Sequence, residues 1–261
     1  MQSTPAGQPS PFDDGELYDL SCQGLDYGID FYVGLAREAK GPVLDIACGT
    51  GRVLLPVLQA GADADGVDLF EPMLDTARRK AADLKLWPNL HHGDMANFQM
   101  PRRYAMVMIT FNAFCHMLTT QDQLRCLECI RRHLLPGGLL AFDGSFPGLT
   151  WIGAPQGRRE LELETKHPRS GQTLRFYDTR AFDRVAQIQR SRYEVELDET
   201  DGTTRIIHRS EFLVRWTYKT EMELLLRAAG FERYEVCGGF DRRPLTQETD
   251  AMVVLAWQGS A

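Results

Sequence analysis

The chain has 261 residues, 43% of them hydrophobic, enough to bury a core without disulfides or a structural metal. Its net charge of −7 at pH 7 argues against a large nucleic-acid footprint, because a phosphate backbone would meet no basic surface. The six cysteines lack the regular spacing of a secreted disulfide scaffold, and no apolar run approaches the ~18 to 20 residues that cross a bilayer, so a cytoplasmic protein without a membrane partner is expected.

Met1 to Pro11 is polar and rich in Ser, Pro and Gln, which predicts a disordered tail. Tyr18, Tyr27 and Phe31 follow on a candidate helix, so residues 1–40 read as a tail plus a helical cap. From Gly41 to Asp143 short apolar runs alternate with segments of helical period, as in successive βαβ units around a parallel sheet. The runs are Pro42 to Ala47, Ala64 to Asp68, Leu90 to His92, Tyr104 to Ile109 and Leu139 to Phe142. One helix starts near Pro72, and another spans about Gln121 to Leu135 and stops at Pro136-Gly137-Gly138. Cys126 and Cys129 form a lone C-x-x-C inside that helix and read as core filler, not as a metal site. The basic clusters Arg78-Arg79-Lys80 and Arg131-Arg132-His133 read as solvated helix faces.

From Pro147 to Tyr218 the helical period disappears and β-type alternation takes over. The expected layout is therefore an α/β core over 41–147, an antiparallel insertion over 148–218, and completion of the core over 219–258, with a helix at Lys219 to Ala229 and strands at Glu232 to Val236 and Met252 to Trp257. The fold class is a doubly wound, mostly parallel α/β sheet carrying a β-rich insertion, which can roof a site or serve as the contact of a homodimer.

The chemistry begins at Val43-Leu-Asp-Ile-Ala-Cys-Gly-Thr-Gly-Arg52, a strand that ends in a glycine turn and opens a helix. Gly49 and Gly51 let the backbone approach a ligand, and the helix N-terminus offers free N–H groups to an anion. The third glycine of a dinucleotide fingerprint would fall at Leu54, which weakens a nicotinamide reading. S-adenosylmethionine (SAM) fits better: its carboxylate suits the turn, and its ammonium suits Asp45, which a pyrophosphate would repel. Asp68 ends the second strand, where a carboxylate accepts hydrogen bonds from two ribose hydroxyls, and Asp94 in His92-Gly-Asp-Met95 can accept from an adenine amine beside Leu69 and Met95.

These motifs, V-L-D-I-A-C-G-T-G-R, G-V-D-L-F-E-P-M-L, H-H-G-D-M and L-L-P-G-G-L-L-A-F, resemble the ordered motifs of class I SAM-dependent methyltransferases over about Gly41 to Phe146. The resemblance implies a seven-stranded sheet with a reversed hairpin at its end. It implies that Asp68 binds ribose and Asp94 adenine. The turn from Asp45 through Ala47 to Arg52 would hold the methionyl part. The insertion is similar to that of small-molecule N-methyltransferases.

The acceptor pocket is expected beyond the fourth and fifth strands, at Thr110-Phe111-Asn-Ala-Phe-Cys-His116 and Asp143-Gly-Ser-Phe146, with Phe111 beside the cofactor. His116 is the candidate general base, because an unperturbed imidazole titrates near neutrality; a packing or capping histidine is the alternative. Asp143 can orient an amine or simply end its strand. Tyr18, grouped with these two as catalytic, joins Tyr27 and Phe31 as an aromatic lid or as ordinary core. Arg215 and Tyr218 can reach the acceptor from where the insertion rejoins the core. Methyl transfer from SAM to a small molecule, at N or O, is the reading that results; methylation of RNA or protein, and a non-catalytic SAM-binding protein, stay open.

Overall fold

The computed structural model describes residues 9–259. Most of the expected disordered tail, Met1 to Gln8, lies outside the described residues. Its end is ordered: Ser10 is 3% exposed and its N–H donates to Asp13, while the Phe12 ring packs 5.0 Å from Phe70. An aromatic ring with aromatic partners to pack on fixes a segment whose composition alone reads as tail.

Five parallel strands form the heart of the molecule: β1 (Val43–Ile46), β2 (Ala64–Asp68), β3 (Asn89–His92), β4 (Tyr104–Ile109) and β5 (Leu134–Ser145). β1 and β2 are buried at every position, because helices cover both faces. Two later strands, β10 (Arg233–Cys237) and β11 (Ala251–Trp257), complete the order β10-β11-β5-β4-β1-β2-β3, with β11 antiparallel to both neighbours. The helices are α1 (Gly15–Ser21), α2 (Ile29–Glu38), α3 (Leu54–Gln59), α4 (Glu71–Asp83), α5 (Thr120–His133), α6 (Leu149–Ile152) and α7 (Lys219–Ala228). Among the described residues no helix is long and apolar enough to cross a membrane.

One boundary moves. α5 stops at His133, and Leu134 already pairs with Tyr104; Pro136-Gly137-Gly138 then forms a bulge, and regular pairing resumes at Met106 and Leu139. Gly137, at φ 73°, supplies the left-handed residue that the bulge needs.

The insertion is a four-stranded antiparallel sheet, β6 (Arg159–Lys166), β7 (Thr173–Asp183), β8 (Ile188–Asp198) and β9 (Thr204–Arg215), in sequence order. Alternation decides what faces inward: Leu174 and Phe176 on β7 and Val195 on β8 are buried and pack with Leu17 and Leu20 of α1. At the other end Phe182 packs with Trp216 and Ile152. The sheet is rooted in the core by a buried arginine, Arg215, whose guanidinium donates to Gln123 of α5 and Glu221 of α7.

Candidate active site

The C-terminal ends of β1, β2 and β4, with the loop after β3, line a cleft, the place where open α/β sheets bind their ligands. The turn after β1 builds its floor by adopting left-handed backbone at Ala47 (φ 55°), Gly49 (φ 55°) and Gly51 (φ 82°). A Cβ at Gly51 would meet Leu55 Cγ at 2.8 Å, so only glycine lets α3 start there. Asp68 ties the strand ends together: one oxygen accepts the Gly49 N–H at 2.8 Å and the other the Phe70 N–H at 2.8 Å.

Ten of the thirteen residues expected from the sequence line this cleft: Tyr18, Ala47, Gly49, Arg52, Asp68, Leu69, Asp94, Met95, Phe111 and His116. Gly51 and Asp45 stand behind it, and Asp143 lines a second cavity instead. Sequence reasoning did not name Phe12, Phe70, Met73 and Met117, which furnish apolar wall. An apolar residue in a loop carries no signal of the face it will meet.

The electrostatics are unbalanced. Asp45 is fully buried, and neither of its carboxylate oxygens makes a full hydrogen bond. Burial pushes its carboxyl well above the usual range, and the charges of Asp68 and Asp143 push it further. Burial also raises Asp68 and Asp143, against the hydrogen bonds each accepts. Facing these acids, the Arg52 guanidinium lies 4.0 Å over the Phe111 ring with both terminal nitrogens buried and unpartnered. Asp45 and Asp68 without an ion-pair partner among the described residues, and a guanidinium whose terminal nitrogens make no hydrogen bond, are what a ligand carrying both charges would satisfy. The donor set therefore fits a methionyl zwitterion with a sulfonium, and the apolar wall fits an adenine.

The second cavity opens between the core and the four-stranded sheet, lined by Tyr27, Asn112, Asp143 and Phe146 below and by Asp178, Gln189, Phe212 and Trp216 above. Asp143 is held by three donors: Tyr32 Oη at 2.6 Å, and the Phe111 and Asn112 N–H groups at 2.9 Å each. Phe111 lines the cleft and Asn112 the cavity, so Asp143 braces the partition between the two spaces. Tyr27 sits over that partition, its ring 5.4 Å from Phe111. Phe31 packs against Tyr32 and Phe240. Arg215 borders the cavity, while Tyr218 is 38% exposed against Phe146.

His116 departs from its expected place. It lies on the wall of the cleft, not of the second cavity, between Phe12 and Phe212. Burial lowers its pKa to about 4, a backbone hydrogen bond to Leu213 offsetting little, and Nδ1 has no partner. An imidazole this desolvated stays neutral at pH 7 and is a weak base.

Comparison with known proteins agrees with this geometry. Residues 43–138 match the family described as methyltransferase domain. The chain is 28% identical over 246 residues to a dTDP-3-amino-3,4,6-trideoxy-alpha-D-glucopyranose N,N-dimethyltransferase of Streptomyces venezuelae, spanning 89% of this chain and 96% of that protein. It is 27% identical over 257 residues to a cypemycin N-terminal methyltransferase of a Streptomyces species, spanning 95% and 97%. A solved SAM-dependent methyltransferase from Clostridium acetobutylicum shares the fold, with a TM-score of 0.76 at 16% identity, over 94% of this chain and 98% of that one. With the sheet order, the glycine turn and the charge pattern of the cleft, these findings support a SAM-dependent methyltransferase enzyme with the class I fold, whose cofactor is SAM.

Proposed function

We propose that this enzyme methylates the nitrogen of a small-molecule amine held in the second cavity. The observation that carries this reading is the partition: Phe111 and Asn112, fixed by Asp143, separate a cofactor cleft from a second cavity by the thickness of one turn. The two full-length relatives, named for methylating an amino sugar and a peptide N-terminus, support nitrogen as the acceptor atom.

Within the cleft the same reading assigns the ribose hydroxyls to Asp68 and the adenine amine to Asp94. Arg52 and the Ala47 to Gly51 turn take the methionyl carboxylate, and Asp45 answers the ammonium from behind. Tyr18, Leu69, Met95, Phe111 and His116 close the walls. Bound SAM supplies an electrophilic methyl on a sulfonium whose charge disappears as the methyl leaves. The chain's own work is alignment and exclusion of water, which suffices when the nucleophile is a neutral amine. His116, with a pKa of about 4, holds no proton near neutrality. Burial pushes the Tyr27 phenol to about 12, so it also stays neutral. The proton released by the methylated amine therefore leaves to water in the open second cavity.

A small acceptor, no nucleic-acid partner and a cytoplasmic setting belong to this reading, supported by the charge of −7 and by six free thiols. So does a homodimer through the four-stranded sheet, supported by exposed Leu161 on one edge strand and Ile206 on the other; light scattering tests it. The function itself is tested by incubating the enzyme with SAM and paired amine, alcohol and carbon acceptors. Methylated amine is the expected product, and transfer to oxygen alone would sink the assignment.

A further inference from the structure

The inner face of the four-stranded sheet is apolar at both ends and polar in the middle. Leu174, Phe176 and Val195 form the cluster against α1, and Phe182 and Trp216 the one against α6. Between them Asp178 and Gln189 are each 6% exposed and Ser191 is fully buried. Strand alternation puts the three on one face: Asp178 is paired with Tyr193, and Gln189, Ser191 and Tyr193 follow one another at intervals of two along β8. A sheet that only had to pack on a core would carry Val or Leu at these positions.

Hydrogen bonds link the polar residues into a chain with open ends. Gln189 Nε2 donates to Ser191 Oγ at 2.7 Å, and Ser191 Oγ donates to Asp178 Oδ2 at 3.0 Å. The same Oδ2 accepts from Arg180 Nε at 2.9 Å. What remains is one acceptor at each end, Asp178 Oδ1 and Gln189 Oε1, and a nearby donor, Trp216 Nε1, all buried and unpartnered. All three residues line the second cavity. Buried polar atoms of this kind are costly unless a ligand or water completes them.

The charges of the cavity narrow the ligand. Its lining carries four carboxylates, Asp143, Asp178, Glu248 and Asp250, the last neutralised by Arg243, against two guanidiniums, Arg180 and Arg215. Both guanidiniums are committed, Arg180 to Glu162 and Asp178, and Arg215 to Glu221. A pyrophosphate placed here would meet net negative charge and no free cation, whereas hydroxyl groups would find two acceptors and a donor.

Resting on the acceptor reading above, we propose that Asp178, Gln189 and Trp216 select the acceptor by its hydroxyl groups, and that the acceptor is a phosphate-free polyhydroxylated amine. The roof grips the hydroxylated body, and the amine points down to the partition at Phe111 and Asn112.

The test compares free aminohexoses and aminocyclitols with a nucleoside-diphosphate-linked aminohexose and a short peptide as acceptors, in wild type, Asp178→Asn and Trp216→Phe. Asp178→Asn can keep its bond to Arg180 while presenting an N–H where an acceptor stood. Trp216→Phe removes the N–H and keeps the ring packing. The phosphate-free amines should be methylated with the lowest KM. Each variant should raise that KM by about tenfold, the cost of one hydrogen bond with an orphaned partner, with kcat and SAM affinity little changed. Preference for the nucleotide-linked amine or the peptide would overturn the proposal. So would an unchanged KM in both variants, or a parallel fall of kcat and SAM affinity, which marks a merely structural role. If SAM binds and no amine of any kind is methylated, the acceptor reading itself fails, and the proposal falls with it.

Discussion

Asp68 accepts one backbone hydrogen bond on each oxygen and still borders the cleft, so its remaining lone pairs are aimed by the same bonds that fix the turn. Asp68→Asn replaces one acceptor by a donor that must face the Gly49 or Phe70 N–H. SAM affinity, read by calorimetry, should fall by about 1 to 3 kcal/mol. Unchanged affinity would move the cofactor out of this cleft. His116 makes a second prediction through its proton. Its pKa is about 4 when folded against 6.5 when free, so between those values the unfolded chain binds more protons and stability rises with pH. The contribution is complete above pH 6.5 and is lost as pH falls toward 4, up to about 3 kcal/mol. Urea midpoints at pH 5 and pH 7 should therefore differ more in wild type than in His116→Gln. An equal difference in both proteins would show that the imidazole is not the desolvated group.

The turn after β4 holds two non-glycine residues in left-handed backbone, Phe111 at φ 57° and Asn112 at φ 61°. Each such residue costs roughly 1 kcal/mol or more and persists only where its surroundings demand it. Asp143 makes the demand by accepting both N–H groups, and Tyr32 on α2 holds Asp143 in turn. Tyr32→Phe should cost about 1 to 2 kcal/mol of stability and lower the methyl-transfer rate more than SAM affinity, because the released carboxylate lets the partition drift. A rate loss matched by an equal loss of SAM affinity would contradict this. The apolar runs of β1, β2 and β4 and the glycine turn were legible in the sequence, because continuous burial and a missing Cβ leave marks in residue type. The strain at Phe111 leaves none, since a phenylalanine is the last residue from which left-handed backbone would be inferred. Pro136-Gly137-Gly138 reads as a loop by composition, yet pairing to β4 absorbs it as a bulge. Asp178 and Gln189 fall in strands that alternation reveals, but a period of two tells which residues share a face, not which face meets the cavity.

α1 joins the cleft to the four-stranded sheet. It is seven residues long, too short to be helical in isolation, so its order comes from its contacts. On one side Asp19 accepts the Thr50 hydroxyl of the glycine turn at 2.6 Å and pairs with Lys80 of α4. On another Leu17 and Leu20 pack against the apolar cluster of the four-stranded sheet, and Arg169 of the β6–β7 turn reaches Glu16. Tyr18, between them, lines the cleft. A ligand that fills the cleft should thus order α1, and α1 should order the sheet above the second cavity. SAM is expected to slow amide exchange in α1 and also in the parts of β7 and β8 around Phe176 and Val195, which no cofactor atom needs to touch. Leu17→Ala with Leu20→Ala should abolish the protection in the strands while leaving most of that at the glycine turn, and should raise the acceptor KM. If SAM protects α1 and leaves those strands exchanging at their free rate in wild type, the helix and the sheet are independent, and the acceptor cavity forms without help from the cofactor.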